Sequence, residues 1–296
     1  MPIATLIAAE RADSGTISEA CDRLVAAGCT PGHREWIEAE LVFDITFDGG
    51  LAAAREALKP MESHFDIAVQ SAESRRKMLL VSDMDSTMIT VECIDELADY
   101  AGIKPEIAAI TERAMAGELD FAEALRARVA LLAGLRAEVI SQCLEERVRP
   151  MPGAETLVRT MAGWGAHTVL VSGGFTSFTG PVAKTIGLAE VHANVLEIAG
   201  GKLTGALQGE IVDAGTKRAV LEAAVAAQSL TMSSALAVGD GANDLPMLSA
   251  AVAGGGMGAA YHPRPLLADA ASFSVRHGDL TALLFAQGVP KGQWIY

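Results

Sequence analysis

The stretch MLLVSDMDST, residues 78–87, joins a run of apolar residues to two aspartates that stand one residue apart. A short, continuous apolar run is typical of a strand that is buried on both faces of a parallel sheet. Two carboxylates this close repel each other, and each raises the pKa of the other unless a cation lies between them. The stretch is therefore either a polar turn or a site built around a cation.

The segments that follow predict the sheet to which this strand belongs. Residues 91–147 read as successive helices, whereas from residue 150 onward strand-like and helix-like segments alternate, with one strand predicted at AVAGGGMG, residues 251–258. Such alternation is typical of a doubly wound parallel sheet. We therefore predict an α/β domain over residues 78–296, with a helical cap inserted at about residues 89–149, directly after the first strand.

The first 77 residues predict a separate, smaller unit. Its segments follow the order β-α-β-α-β, in which residues 34–47 form either one long strand or a hairpin. SAESRRK, residues 71–77, is polar and predicts a linker. We therefore expect an α+β domain with its linker over residues 1–77.

Composition excludes several classes of partner and location. Lys and Arg total 23 against 37 Asp and Glu, which gives a net charge of -14. A surface this acidic repels nucleic acids and anionic membranes, so we expect neither as a partner. The four cysteines form no CxxC pair, and the sequence contains neither a secretory leader nor an apolar run long enough to span a membrane. These features predict a cytoplasmic protein.

Polar residues also mark the ends of later strands and the start of a helix. Ser172 is followed by two glycines, Asp240 and Asp244 flank a glycine-rich turn, and Lys217 begins a predicted helix. Ligands of open parallel sheets bind beyond the carboxyl ends of the strands. A lysine at a helix N-terminus opposes the helix dipole, which is explained if an anion lies beside it. Each residue alone could be an ordinary turn or surface residue, but together they predict one site.

These motifs, in this order, resemble the signature of the haloacid dehalogenase-like hydrolases. The DxDxT motif is DMDST at residues 83–87, the hydroxyl motif is Ser172, the lysine is Lys217, and the GDxxxD element is GDGAND at residues 239–244. The resemblance covers residues 78 to about 275 and implies the same α/β fold.

For the chemistry, the resemblance implies phosphoryl transfer through an aspartyl-phosphate. Asp83 would be the nucleophile, and Asp85 would be the general acid and then the general base. Mg²⁺ would be held by the side chain of Asp83, the backbone carbonyl of Asp85 and Asp240, while Asp244 would steady the waters of the metal or Lys217. The phosphoryl oxygens would be bound by Ser172, Gly173 and Lys217.

A narrower resemblance, to the phosphoserine phosphatase family, concerns the substrate. The residues that match the substrate-binding positions of that family are Glu92, Met115, Phe121, Arg128 and Asn243. Arg128 also interrupts an apolar stripe of its helix, so its charge must either be paired or extend to solvent, and a substrate carboxylate is a candidate partner. Glu92 would bind the ammonium of the substrate, although alone it could equally be a first-turn acid that the helix dipole favours. The implied reaction is Mg²⁺-dependent hydrolysis of O-phospho-L-serine to L-serine and phosphate, the last step of serine biosynthesis.

Two other functions remain open from the sequence. One is a phosphotransferase that passes the phosphoryl group to another alcohol, such as homoserine, and the other is a regulatory amino-acid-binding protein with a vestigial catalytic half. The N-terminal unit resembles ACT-type domains in its order of elements, which implies an amino-acid-binding or homodimerisation module. A packing module without a ligand is equally compatible with that order.

Overall fold

The computed structural model describes residues 1–115 and 118–296, and the side chain of Met115 lies outside the described part. Its strands form two separate sheets, one near the N-terminus and one that occupies the rest of the chain. Within the described ranges, no helix is both long enough and apolar enough to cross a membrane.

The N-terminal sheet is antiparallel, with the strand order β2-β3-β1-β4, and its apolar residues form a core of their own with the two helices. The elements are β1 Pro2–Ala8, α1 Ser14–Ala26, β2 Thr30–Glu38, β3 Val42–Asp48, α2 Leu51–Leu58 and β4 Phe65–Ser71. Residues 34–47 fold as a hairpin, which is the second of the two predicted alternatives. The order is therefore β-α-β-β-α-β, with one strand more than the simpler prediction.

The strand that follows, β5 (Leu79–Ser82), lies in the middle of the larger sheet, in which the order is β11-β10-β9-β5-β6-β7-β8. The other strands are β6 His167–Phe175, β7 Glu190–Ala199, β8 Lys202–Gln208, β9 Ala235–Gly239, β10 Met257–Tyr261 and β11 Phe273–Val275. Neighbouring strands pair in parallel, except that β8 pairs antiparallel with β7. The predicted α/β fold with a mostly parallel sheet is confirmed.

Helices from residue 154 onward connect the strands of this sheet or follow the last of them. They are α7 Ala154–Gly163, α8 Thr176–Ile186, α9 Ala214–Ala227, α10 Leu245–Ala253, α11 Pro265–Ala270 and α12 Ala282–Ala286. The strand predicted at residues 251–258 was placed too early, because α10 continues to Ala253 and the chain then turns through three glycines. A Cβ on Gly256 would lie 2.4 Å from the carbonyl oxygen of Met232, so this turn requires glycine.

Between β5 and α7, the described part of the chain forms four helices, and we call them the helical insertion. They are α3 Cys93–Ala101, α4 Lys104–Met115, α5 Phe121–Leu131 and α6 Glu138–Glu146. At the base of the helical insertion, an isolated bridge joins Ile89 to Pro150, so the two connecting segments run side by side. This arrangement holds the four helices over one end of the larger sheet.

Two residues of the segment predicted as a polar linker, Arg75 and Lys77, contact residues that are distant in sequence. Arg75 forms an ion pair with Asp44, with 2.6 Å between Nη1 and Oδ2, and its Nε donates to the carbonyl of Ala286. Lys77 is buried, and its ammonium donates to the carbonyl of Ser233 at 2.8 Å. The composition of the segment could not show this, because all of these partners are distant in sequence.

Candidate active site

The polar residues at the ends of β5, β6 and β9 lie together because these three strands are adjacent in the sheet. Asp83 follows β5, Ser172 lies near the end of β6, and Asp240 follows β9. The strands run parallel, so their carboxyl ends meet at one edge, where open α/β sheets bind ligands.

Asp83 is paired with a buried lysine. The ammonium of Lys217 lies 2.7 Å from Oδ2 of Asp83, and the backbone N–H of Met84 donates to Oδ1 at 2.8 Å. Both side chains are almost fully buried. Burial alone would lower the pKa of Lys217, but the charges of Asp83 and Asp244 outweigh it and hold that pKa above its usual range. The lysine therefore stays charged and holds one oxygen of Asp83 in place.

Asp244 lies on the other side of Lys217. Its Oδ1 accepts from the ammonium at 2.7 Å, and its Oδ2 accepts from the backbone N–H groups of Asp240 and Gly241, each at 3.2 Å. Burial and the charge of Asp83 raise the pKa of Asp244 to about 7, although Lys217 opposes this. The close approach requires glycine at position 239, because a Cβ there would lie 2.2 Å from Cγ of Asp244.

Asp85 lies beside Asp83 in a different environment. Its Oδ1 is shielded from solvent and has no hydrogen-bond partner among the described residues. Burial, and then the charges of Glu92 and Asp83, raise the pKa of Asp85 well above its usual range. A carboxyl group in this state can carry a proton and donate it.

Asp83, Asp240 and Asp244 form an acidic cluster that could hold a metal ion, since each offers an oxygen within 4.8 Å of the others. Carboxylate oxygens suit a hard cation such as Mg²⁺. The hydroxyl of Thr87 orients Asp240 with a 3.2 Å hydrogen bond. Asp83 and Asp240 line the cavity at this edge of the sheet, whereas Asp244 is fully buried behind Lys217, so Asp83 and Asp240 are the better-suited ligands of the three.

The phosphate end of the site is completed by the segment after β6 and by the glycine-rich turn. Ser172 is buried, and its Oγ accepts from the backbone N–H of Gly174 at 2.9 Å. The side-chain amide of Asn243 donates to Oδ2 of Asp83 at 3.4 Å. A Cβ on Gly173 would come within 3.0 Å of the ring of Phe121, so the helical insertion approaches this end of the sheet closely.

A cavity of about 470 Å³ lies between the sheet edge and the helical insertion. The predicted site residues that line it are Asp83, Asp85, Glu92, Phe121, Arg128, Ser172, Gly173, Asp240 and Asn243. Lys217 and Asp244 are buried beside Asp83 rather than in the lining, and the side chain of Met115 lies outside the described part.

Glu92 and Arg128 belong to the wall that the helical insertion provides. The hydroxyl of Ser86 donates to Oε1 of Glu92 at 2.6 Å. Burial, together with the charges of Asp240 and Asp83, raises the pKa of Glu92, although the bond from Ser86 opposes this. In the described part of the chain, the guanidinium of Arg128 has no carboxylate within 4 Å and makes one hydrogen bond, from Nε to the carbonyl of Ala124. Most of its donors are therefore available to a ligand.

Four polar residues of the cavity lining were not predicted as site residues, namely Ser86, Asp95, Thr111 and Arg264. The one signal for Asp95 is its spacing, three residues after Glu92, which places both on one helix face, but an acid in a first helical turn is ordinary by itself. Arg264 follows β10 at the same edge of the sheet, but no predicted motif included it.

Comparisons with known proteins place the chain in a family. Residues 80–249 match the sequence profile of haloacid dehalogenase-like hydrolases. The phosphoserine phosphatase of Streptomyces coelicolor is 44% identical over 228 residues, which cover 76% of this chain but only 54% of that one, so the chain spans about half the length of this relative. The phosphoserine phosphatase of Albidiferax ferrireducens is 44% identical over 211 residues, which cover 70% of this chain and 87% of that one.

A solved structure extends the likeness to almost the whole chain. The crystal structure of a haloacid dehalogenase family hydrolase from Salmonella enterica serovar Typhi superimposes with a TM-score of 0.83 at 26% identity, covering 97% of this chain and 98% of that one. Sequence profile, relatives and fold agree, and the chain belongs to the haloacid dehalogenase-like hydrolase family and, within it, to the phosphoserine phosphatases.

Proposed function

We propose that this protein is a Mg²⁺-dependent phosphatase that hydrolyses O-phospho-L-serine to L-serine and phosphate. The observation that carries the proposal is a single cavity in which two neighbouring carboxyl groups have different surroundings. Asp83 is paired with the charged Lys217, whereas burial and neighbouring charges raise the pKa of Asp85, and one oxygen of Asp85 has no hydrogen-bond partner among the described residues. Two neighbouring carboxyl groups with such different surroundings are suited to act as nucleophile and proton donor.

In the proposed mechanism, an oxygen of Asp83 attacks the phosphorus and the bond from phosphorus to the serine oxygen breaks. Asp85 gives its proton to the leaving oxygen, and an aspartyl-phosphate forms on Asp83. Asp85, now ionised, takes a proton from a water molecule that attacks the phosphorus, which releases phosphate and restores Asp83. Lys217 and Ser172 bind phosphoryl oxygens throughout, and Lys217 also balances the charge of Asp83.

The residues that would hold Mg²⁺ are Asp83, Asp240 and the backbone carbonyl of Asp85. When bound, the metal neutralises charge on the phosphoryl oxygens. Asp244 is assigned to the orientation of Lys217, because its Oδ1 accepts from that ammonium and its side chain is buried away from the cavity lining.

At the other end of the cavity, Arg128 would bind the carboxylate of phosphoserine and Glu92 its ammonium. The free donors of Arg128 and the partial burial of its side chain support this, since a planar guanidinium binds a carboxylate with two parallel hydrogen bonds. Phe121, Met115 and Asn243 are proposed as further contacts to the substrate.

We also propose that residues 1–77 form an ACT-like domain and residues 78–296 the phosphatase domain, with its cap at about residues 89–149. The separate sheet and core of residues 2–71 support the first part. We also predict that the N-terminal domain joins two chains into a homodimer. Sedimentation of the purified protein tests this prediction, and a monomer at micromolar concentration would contradict it.

The activity is tested by measuring kcat/KM on four phosphomonoesters, with Mg²⁺ and with a chelator in excess. The four are phosphoserine, phosphoethanolamine, phosphoglycolate and ethyl phosphate, which carry both charged groups, the ammonium only, the carboxylate only and neither. We expect phosphoserine to be the best substrate, equal release of serine and phosphate without an acceptor alcohol, and no turnover in the chelator. Phosphate release that requires an acceptor would identify a transferase instead.

The nucleophile is tested by Asp83→Asn. An amide cannot form the acyl phosphate, so turnover should be abolished on all four substrates while the circular dichroism spectrum stays unchanged. Near-normal turnover in this folded variant would overturn the mechanism.

A further inference from the structure

Helix α3 brings a second carboxylate to the amino-acid end of the cavity. Asp95 lies in the first turn of this helix, three residues after Glu92, and both residues line the cavity. Residues three apart on a helix are neighbours on its surface, about 5–6 Å apart at Cβ. The wall opposite the phosphate end therefore carries two carboxylates side by side.

The two carboxylates differ in what they already bind. Oε1 of Glu92 accepts the hydroxyl of Ser86 at 2.6 Å, which ties Glu92 to the loop after β5. For Asp95, residues 1–115 and 118–296 provide neither a hydrogen-bond donor to the side chain nor a cation within 4 Å. Of the two carboxylates, Asp95 thus has more acceptor capacity left for a ligand.

Asp95 lies close enough to Arg128 for its charge to act on the guanidinium. Burial lowers the pKa of Arg128, and the charges of Asp95 and Glu92 both oppose this, Asp95 more strongly. This end of the cavity therefore presents one guanidinium and two carboxylates. An ammonium group has three N–H donors, so it is better satisfied by two carboxylates than by the single remaining oxygen of Glu92.

A role in helix stability alone would also place an acid in this turn, because the helix dipole favours it. The next residue, Glu96, shows how such an acid is used for structure, since it pairs with Arg147 of the loop after α6 at 2.6 Å. Asp95 has no comparable partner within the described ranges and faces the cavity instead.

We propose that Asp95 is a specificity residue that binds the ammonium of the substrate together with Glu92. The inference rests on the proposed function, because it concerns the substrate of the same cavity. It adds a second acceptor for the ammonium, and it predicts that selectivity for an amino group depends on both residues.

The test is kcat/KM of Asp95→Asn on the four phosphomonoesters defined above, at saturating Mg²⁺. Phosphoserine and phosphoethanolamine, which carry the ammonium, should each lose about 10- to 100-fold, as expected for the loss of a hydrogen bond to a charged group. Phosphoglycolate and ethyl phosphate should change by less than about threefold. Asp95→Glu, which keeps the charge, should recover part of the loss on the two ammonium substrates.

The matched control is Glu106→Gln. Glu106 is a first-turn acid of the neighbouring helix α4, is exposed to solvent and does not line the cavity. Glu106→Gln should leave kcat/KM for all four substrates at the values of the unmodified protein. A thermal unfolding midpoint of Asp95→Asn close to that of the unmodified protein would show that α3 remains folded.

Other patterns would overturn the inference. A loss on phosphoserine and phosphoglycolate, but not on phosphoethanolamine, would mean that Asp95 only orients Arg128. Equal losses on all four substrates would mean that Asp95 has a structural role. No loss on any of them would mean that Asp95 has no role in substrate recognition. These outcomes leave the phosphatase assignment intact, whereas a failure of the unmodified protein to hydrolyse any of the four would overturn the proposed function itself.

Discussion

Two buried lysines of this protein have very different surroundings. Lys217 lies between the carboxylates of Asp83 and Asp244, which together keep it charged. Lys77, two residues before β5, is also buried, but its ammonium donates to a single carbonyl, that of Ser233. Burial without a counter-charge lowers the pKa of Lys77 to about 8. The charged Lys217 can act in the site, whereas the burial of Lys77 without a counter-charge lowers the free energy of unfolding.

The cost at Lys77 should depend on pH. Below pH 8 the lysine is charged in the folded and in the unfolded protein, so the full penalty of burial is present. Between about pH 8 and 10.5 the folded protein loses this proton while the unfolded chain keeps it, so the unfolded chain binds more protons and the free energy of unfolding rises with pH.

The measurement is urea unfolding of the unmodified protein and of Lys77→Met at pH 7, 8.5 and 10. The free energy of unfolding of the unmodified protein minus that of the variant should increase by up to about 3 kcal/mol from pH 7 to 10. The contributions of the other titrating groups cancel in this difference, because both proteins share them. A difference that is independent of pH would show that Lys77 has the same pKa in both states.

Arg128 is the second residue with a specific prediction. It is partly buried and has no ion-pair partner among the described side chains, so we expect its main role to be in substrate binding. Arg128→Ala should lower kcat/KM for phosphoserine by about thirty-fold to several thousand-fold, because removing one partner of a buried charge pair costs about 2–5 kcal/mol. Phosphoethanolamine, which lacks the carboxylate, should already be a poor substrate of the unmodified protein. Arg128→Ala should lower its kcat/KM little further. A uniform loss on both substrates would instead indicate that Arg128 holds the helical insertion together.

At the scale of elements, the β7–β8 hairpin supports the helical insertion. The backbone N–H of Gly134 donates to the carbonyl of Leu203, and the N–H of Leu203 donates to the carbonyl of Leu135, at 2.8 and 2.9 Å. These bonds join the hairpin to the loop after α5, the helix that carries Phe121 and Arg128. The position of two cavity residues therefore depends on a hairpin at the far edge of the sheet.

Gly205 lies where β8 contacts α5. It has a φ of +85°, and a Cβ there would lie 2.9 Å from Cβ of Ala133 and 3.1 Å from the carbonyl of Ala130. Gly205→Ala should therefore suffer both backbone strain and overpacking. Gly209 has a φ of +78°, and a Cβ added to it would meet no described atom within 4 Å, so it provides a control for the strain alone.

The comparison of Gly205→Ala with Gly209→Ala in urea unfolding isolates the contact. We expect Gly205→Ala to be less stable than Gly209→Ala by about 1–3 kcal/mol, the usual cost of overpacking. Equal losses would mean that the hairpin and α5 move apart without cost.

At the scale of the whole molecule, the two sheets are joined by hydrogen bonds to backbone groups. The carboxylate of Asp66, in β4, accepts from the N–H groups of Arg276, His277 and Gly278, and Gln70 donates to the carbonyl of Ala286. The cavity, in contrast, is lined by residues from Asp83 onward. The N-terminal unit therefore supports the larger sheet without contributing to the cavity.

Deletion of residues 1–71 tests this division. The shortened protein should keep its turnover of phosphoserine, because the residues of the proposed chemistry are all retained. Its midpoint of thermal unfolding should fall by roughly 4–12 °C, since about 2–3 kcal/mol of hydrogen bonding to the carboxylate is lost and each kcal/mol is worth about 2–4 °C. A folded protein without turnover would mean that the N-terminal unit completes the site.

Much of this protein could be predicted from local sequence. The apolar run before Asp83 predicts a central parallel strand, and the alternation after residue 150 predicts the α/β fold, because burial of a strand on both faces demands a continuous apolar run. The motifs at Ser172, Lys217 and Asp240 predict one site, because parallel strands place their carboxyl ends at the same edge.

Only the tertiary structure decided features that depend on partners distant in sequence. SAESRRK is polar and predicts a linker, yet Arg75 pairs with Asp44 and Lys77 is buried against Ser233. Asp95 was overlooked because an acid in the first turn of a helix is ordinary until the opposite wall of a cavity is known. Local patterns show which face of an element is apolar, whereas the contribution of a charged side chain to stability or binding depends on the residues that the fold places beside it.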